Sequence, residues 1–195
     1  MSVQHIAVFS GKGGVGKTTL ALALAQYTNR LLVDADPQCS ASDWSDLRAA
    51  ETPEVIASPL ARLPRLLEDR EASIIDMPGS LTNGAMTALQ AADLTLVITG
   101  DHQLELCALQ QSLEIAQAAG TRVVVVLNKV HPFTDVKPVT EDIQGLGVEV
   151  CPVVIRERSA HYKSLVEGRT AVEYDPDGPA AAEIIRLWQW IEELA

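Results

Sequence analysis

The densest chemistry in the chain lies in the run Gly11-Lys12-Gly13-Gly14-Val15-Gly16-Lys17-Thr18, followed by Thr19. Glycines at these spacings let successive backbone N–H groups face inward with no side chain in the way, which is what a polyphosphate needs. The pattern satisfies GxxxxGK[ST], so Lys17 is expected to reach the β- and γ-phosphates and the Thr18 hydroxyl to take a Mg²⁺ position. Thr19 is placed for an α-phosphate contact. Lys12 is a surplus. A second cation beside a bound triphosphate is repelled by Lys17 unless it serves additional negative charge.

Two apolar runs end in acids that suit such a loop. Asp34-Ala35-Asp36-Pro37-Gln38 closes one, and Ile74-Ile75-Asp76-Met77-Pro78-Gly79 closes the other. Carboxylates at strand ends can sit beside Mg²⁺ and an attacking water. Apolar residues running into a single Asp describe a Walker B strand, in which Asp76 holds the metal through a water. Pro78 and Gly79 then form a turn able to sense a γ-phosphate. A third signal is Asn128-Lys129-Val130-His131. Guanine recognition needs NKxD, and His131 stands where the Asp would accept from the base. Guanine specificity thus loses its basis.

These residues need elements that hold them. Apolar runs at 3–9, 30–36, 72–78, 93–99, 121–129 and 148–155 read as short strands, the first opening directly after Met1-Ser2. Helical patterns lie between them: Leu20, Leu24 and Tyr27; Leu106, Leu109, Leu113 and Ala116; and Ile184, Leu187, Trp188 and Ile191 over 179–194. Alternating strands and helices predict a single-domain doubly wound α/β fold with a mostly parallel sheet flanked by helices, a P-loop NTPase with its site at the carboxyl ends of the strands. The composition agrees. Of 195 residues 47% are hydrophobic but only 4% aromatic, the Ala/Leu/Val/Ile mix of a buried parallel sheet. A net charge of −11 argues against a globally basic nucleic-acid binder, though not against a local patch. No long apolar span occurs, so the cytoplasm is the expected compartment. Cys39, Cys107 and Cys151 are widely spaced, with neither CxxC nor a histidine pair nearby, and read as ordinary small apolar residues.

Taken together, KGGVGKT at 12–18, DADPQ at 34–38 and the Asp76 strand end resemble the ParA/MinD family of deviant Walker ATPases, over essentially the whole chain. The resemblance implies that Lys12 crosses a dimer interface to the partner's nucleotide, clamping two subunits around two ATP molecules. It implies that Asp36 polarises or positions the hydrolytic water and that Asp34 supports the magnesium shell. It further implies that Asn128 contacts adenine, with backbone near Pro152-Val153 supplying the rest; by its position alone, Asn128 could equally cap the strand end. Met77 is a mild departure, since Pro or Thr is usual there.

The stretch Cys39-Ser40-Ala41-Ser42-Asp43-Trp44 and the segment from Ile155 to Tyr174 are similar to the short, ParF-like partition ATPases. Such proteins form an ATP dimer that binds nucleoid DNA without sequence preference. A ParB- or ParG-like adaptor then releases them by stimulating slow hydrolysis. Arg156, Arg158, Lys163 and Arg169 form a local basic excess that could contact DNA; Arg156 or Arg158 could equally brace the nucleotide loop or the interface. Protein cargoes such as carboxysomes or chemoreceptor clusters fit the same switch, and a synthetase on this fold stays open. Membrane positioning of the MinD kind is disfavoured, because the tail carries Glu183, Glu192 and Glu193 against one Arg186.

Overall fold

The computed structural model describes residues 3–80 and 84–194, with only the backbone of 103–107. The side chains of Leu106 and Cys107, and residues Met1 and Ser2, lie outside the described residues. The elements alternate as the sequence predicts: β1 (His5–Phe9), α1 (Lys17–Thr28), β2 (Leu31–Asp34), α2 (Ser40–Leu47), β3 (Val55–Ala57), α3 (Leu63–Glu68), β4 (Ser73–Asp76), α4 (Ala85–Gln90), β5 (Leu94–Thr99), α5 (Gln103–Ala118), β6 (Arg122–Leu127), α6 (Lys137–Gln144), β7 (Glu149–Val150), α7 (Ser159–Val166), α8 (Ala171–Tyr174) and α9 (Pro179–Glu193).

One seven-stranded sheet runs β3-β2-β4-β1-β5-β6-β7, and every strand pairing in it is parallel. Strand residues alternate between two cores, as a two-residue period demands. Ile6, Val8, Ile74, Val124 and Val126 face α1 and α9, whereas Ala7, Phe9, Ile75, Val125 and Leu127 face the layer of α3 to α6. Helix α1 is buried along Leu20–Ala25 because it is roofed by α9, whose Ile184, Leu187, Trp188 and Ile191 share its core. That apolar face of the last helix is spent on the fold. The Arg30 guanidinium stacks 4.5 Å over the Trp188 ring at its edge. No helix among the described residues is long and apolar enough to cross a membrane.

Strand β3 has no counterpart among the predicted strands. Only three residues long and partly exposed at the sheet edge, it lacks the apolar density that marked the others. Its place is fixed by pairing with β2, Leu32 opposite Val55 and Asp34 opposite Ala57. The parallel order puts the ends of β1, β2, β4, β5 and β6 on one edge of the sheet, and the phosphate loop, the Asp36 turn, Asp76 with its turn and Asn128 each lie at one of those ends.

Candidate nucleotide site

The loop between β1 and α1 is held from behind. Gly11 spends its N–H on Ser112 Oγ of α5 at 2.9 Å, and Val15 is buried in the core. Gly14 and Gly16 take φ of 80° and 90°, the left-handed region that turns their amides toward a ligand. Asn128, buried at the end of β6, donates from Nδ2 to the Val15 carbonyl at 2.8 Å and reaches Gly16 O at 3.5 Å. Lys129, itself at φ 56°, donates from Nζ to Gly14 O at 2.9 Å. The β6 end thus grips the loop twice, and Asn128 acts as a clamp on it.

Gly13, Gly14, Gly16, Lys17, Thr18 and Thr19 line an open cavity of about 700 Å³, together with Asp36 and Gly79. Lys17 is buried, its ammonium 3.2 Å from Lys12 O. Burial holds its pKa below the ordinary lysine value, while Asp76 and then Asp36 pull the other way. Gly79 lies so close that a Cβ there would stand 3.1 Å from Lys17 Nζ and 3.2 Å from Gly13 Cα. The turn after β4 therefore touches the phosphate loop directly.

Asp76 is wholly buried, and neither carboxylate oxygen accepts a hydrogen bond of ordinary geometry. Burial pushes its pKa up to about 7 against the pull of the Thr18 hydroxyl and Lys17, and the nearby Asp34 and Asp36 carboxylates add to the rise. A buried acid without a partner is costly unless a ligand supplies the opposite charge. Thr18, Asp76 and the adjacent Asp36 form a donor set that fits Mg²⁺, which takes one or two protein oxygens and leaves the rest to phosphates and water. Among the described residues, no group of three or more His, Cys, Asp or Glu side chains forms a metal cage. A Mg²⁺ bound there would neutralise phosphate charge.

Asp34, expected to support the magnesium shell, accepts hydrogen bonds within its own loop. Its Oδ2 accepts from the N–H and hydroxyl of Ser42, each at 2.9 Å, and its Oδ1 accepts from Asp36 N–H at 3.2 Å. It orders the turn that presents Asp36 and starts α2. Asp36 itself stays half-buried at the cavity, one oxygen accepting from Gln38 N–H at 3.0 Å.

A second cavity of about 260 Å³ adjoins the first, sharing Gly16, Thr19, Lys129 and Leu165 with it. Asn128 lines it, but Pro152 and Val153 do not. The wall is formed by Ile155 to Arg158. The reason is register: Cys151 N–H donates to Val125 O and Ile155 N–H to Leu127 O, so the chain reaches the level of the β6 end only at Ile155. Pro152 and Val153 are still beside the strand interior. His131 is exposed and outside both cavities, so no carboxylate stands at the NKxD position.

Residues 6–172 match the CobQ/CobB/MinD/ParA nucleotide binding domain. The chain belongs to that family. "Maintenance of carboxysome distribution protein A" of Gloeobacter kilaueensis is 34% identical over 192 residues, covering 91% of this chain and 88% of that protein. The protein of the same name from Halothiobacillus neapolitanus is 27% identical over 198 residues, 92% of each. Among solved structures, the cell division ATPase MinD of Pyrococcus furiosus superposes with a TM-score of 0.75 at 26% identity, covering 98% of this chain and 99% of that one. The doubly wound fold read from the sequence is thus that of the MinD/ParA family.

In this MinD/ParA-type domain the basic segment is largely engaged within the chain. Arg156 Nη1 donates to the carbonyls of His131 and Thr134 at 3.0 and 2.9 Å. Arg158 forms a two-pronged pair with Glu183, at 3.0 Å from Nε and 2.6 Å from Nη2. Arg169 bonds the Glu173 carbonyl and lies 3.5 Å from Glu167. Lys163 and Arg169 remain exposed. Glu183 is 3% exposed and also accepts from Arg156 N–H at 3.0 Å. Its place among the tail acids is misleading. It falls three residues after Ala180 and four before Leu187, on the buried stripe of α9, where an acid needs a cationic partner. Glu183→Ala would leave the part-buried Arg158 and the Arg156 amide without their acceptor, so urea denaturation is expected to show a loss of about 2 kcal/mol.

Helix α2 is tied to the turn between α7 and α8. Trp44 Nε1 donates to Arg169 O at 3.2 Å, and Arg48 stacks over Trp44 while forking onto Glu173 at 2.6 and 2.9 Å. No local pattern signals this link, which spans about 125 residues of chain. Of the cysteines, Cys151 is buried with its thiol pushed up to about 12 by burial, and Cys39 sits in a left-handed turn before α2.

Proposed function

We propose that the protein is a slow, ATP-hydrolysing switch that dimerises around nucleotide and positions a large cargo. The observation that carries this is the meeting of Lys17, Thr18 and Asp36 in one open cavity, with the buried Asp76 carboxylate close enough to interact with all three, behind a loop that carries a second lysine. ATP and Mg²⁺ fill the cavity, and Asp36 is the residue placed to orient water. Gly79 touching the loop, and Asp36 on a turn ordered by Asp34, are where loss of the γ-phosphate would be felt. Leu47 and Val166, 64 and 78% exposed, line the larger cavity, and Tyr162, 62% exposed, lines the smaller one, an apolar margin suited to a second copy. Lys12, at the loop's entrance, acts on the partner's nucleotide.

The cargo follows from the relatives. Two carboxysome distribution proteins align over nine-tenths of the chain, so a protein assembly is a reading supported alongside segregation of plasmid or chromosomal DNA. In either case the ATP dimer uses nonspecific nucleoid DNA as its track and an adaptor protein, ParB- or ParG-like for DNA cargo, to stimulate hydrolysis. The DNA contact narrows to Lys163 and Arg169, doubled across the dimer, with Arg156 and Arg158 shaping the surface beneath them. Binding through these cations weakens as salt rises, with a slope set by the number of phosphates they neutralise. The site of action is then the cytoplasm, on the nucleoid in the ATP state.

Size-exclusion light scattering with ADP or a slowly hydrolysed ATP analogue, with and without duplex DNA, tests this. The expected result is a monomer with ADP and a DNA-binding dimer with the analogue. Lys12→Ala should still bind nucleotide but stay monomeric with the analogue. A Lys12→Ala protein that dimerises normally would remove the trans role of that lysine.

A further inference from the structure

His161, on the first turn of α7, lines the smaller cavity beside Gly16, Thr19 and Asn128. Neither of its ring nitrogens has a hydrogen-bond partner, and both are shielded from solvent. Native proteins seldom leave buried polar atoms unpaired, and those they do leave usually await a ligand, a water or a proton. The surrounding charges offer no intramolecular remedy. Arg158 is held by Glu183, and the two oxygens of Glu183 already accept from Arg158 and from Arg156 N–H. Burial, opposed by Glu183 and aided by Arg158, holds the imidazole below its ordinary pKa. At neutral pH the ring is therefore uncharged, with one nitrogen donating and the other accepting.

The cavity's position says what it would take. It opens past Gly16 and Thr19, the end of the loop where an α-phosphate would sit, and it is walled by the Leu165 and Ile184 side chains. An apolar slot with a few polar groups, continuous with a phosphate cradle, suits a heterocyclic base. We propose that His161 is the side chain that reads the base of the bound nucleoside polyphosphate, hydrogen-bonding its edge, while Asn128 serves to clamp the loop. This rests on the nucleotide reading above and assigns base recognition to α7 in place of the Pro152-Val153 backbone.

Titration calorimetry of the full chain in Mg²⁺ buffer, with ADP and separately with inorganic tripolyphosphate, tests the assignment. H161F keeps the ring's shape and removes both nitrogens. It is expected to weaken ADP about tenfold, the scale of one lost hydrogen bond, and to leave tripolyphosphate unchanged. H161N or H161Q, whose amides extend to where Nδ1 and Nε2 stand, should recover most of the ADP affinity. An H161F protein with wild-type ADP affinity overturns the proposal, as does a parallel fall for both ligands, which marks a structural role, or failure of both amide variants to recover. A wild-type protein with no preference for ADP over tripolyphosphate overturns the nucleotide reading itself.

Discussion

Gly16→Ala is expected to lower nucleotide affinity at least a hundredfold and to destabilise the fold by about 2 kcal/mol. Two effects combine. Gly16 sits at φ 90°, where an alanine is strained, and its new Cβ would lie 2.5 Å from Asn128 Nδ2. Asn128 cannot simply swing aside, because it is buried and its amide holds the Val15 and Gly16 carbonyls. Relief of the clash therefore releases the loop from β6 and turns its amides away from the phosphates. Calorimetry with ADP and urea denaturation read the two effects separately. An alanine variant binding ADP within threefold of wild type would show that the clamp does not set the loop's conformation.

Asp76→Asn is expected to have opposite effects on activity and stability. ATP turnover should drop to roughly a hundredth or less, because the neutral amide cannot hold the cation that the triphosphate brings. The nucleotide-free protein in chelator should become more stable than wild type above pH 7. The sign follows from the pKa. An unfolded Asp titrates near 4, whereas burial raises Asp76 to about 7 in the fold. Between those values the native state holds a proton that the unfolded state has released. Wild-type stability is thus present at low pH and declines as pH rises from about 4 through about 7, by up to on the order of 4 kcal/mol. The Asn variant should lack this part of the decline. Thermal melts from pH 5 to pH 8 measure it, and identical pH profiles for the two proteins would show that Asp76 ionises as readily in the fold as out of it.

Much of the site was legible because its parts are contiguous in sequence. The phosphate loop, the Asp36 turn and the Asp76 strand end each declare themselves within eight residues, and each needs only a strand before it to be aimed correctly. The alternation of Ile74 and Ile75, or Val124 and Val125, between two cores likewise follows from a two-residue period and a sheet covered on both faces. Edge strand β3 was not legible, since three half-exposed residues carry no periodic signal and pairing with β2 alone makes them a strand.

What the sequence by itself determined is therefore the family, the fold and the chemistry of the phosphate end, where local backbone geometry and residue type suffice. Only the tertiary structure decided how side chains far apart in the chain share or exhaust one another. It placed Asp34 on Ser42, Asn128 on the phosphate loop, and Arg158 on a glutamate that composition counts as part of an acidic tail. It also put Ile155–Arg158, and not Pro152-Val153, along the smaller cavity, because β6 register fixes the height at which the chain reaches that level. A one-dimensional pattern carries periodicity and spacing, but whether a buried charge is already paired depends on contacts across more than a hundred residues, and those exist only once the sheet has closed its layers.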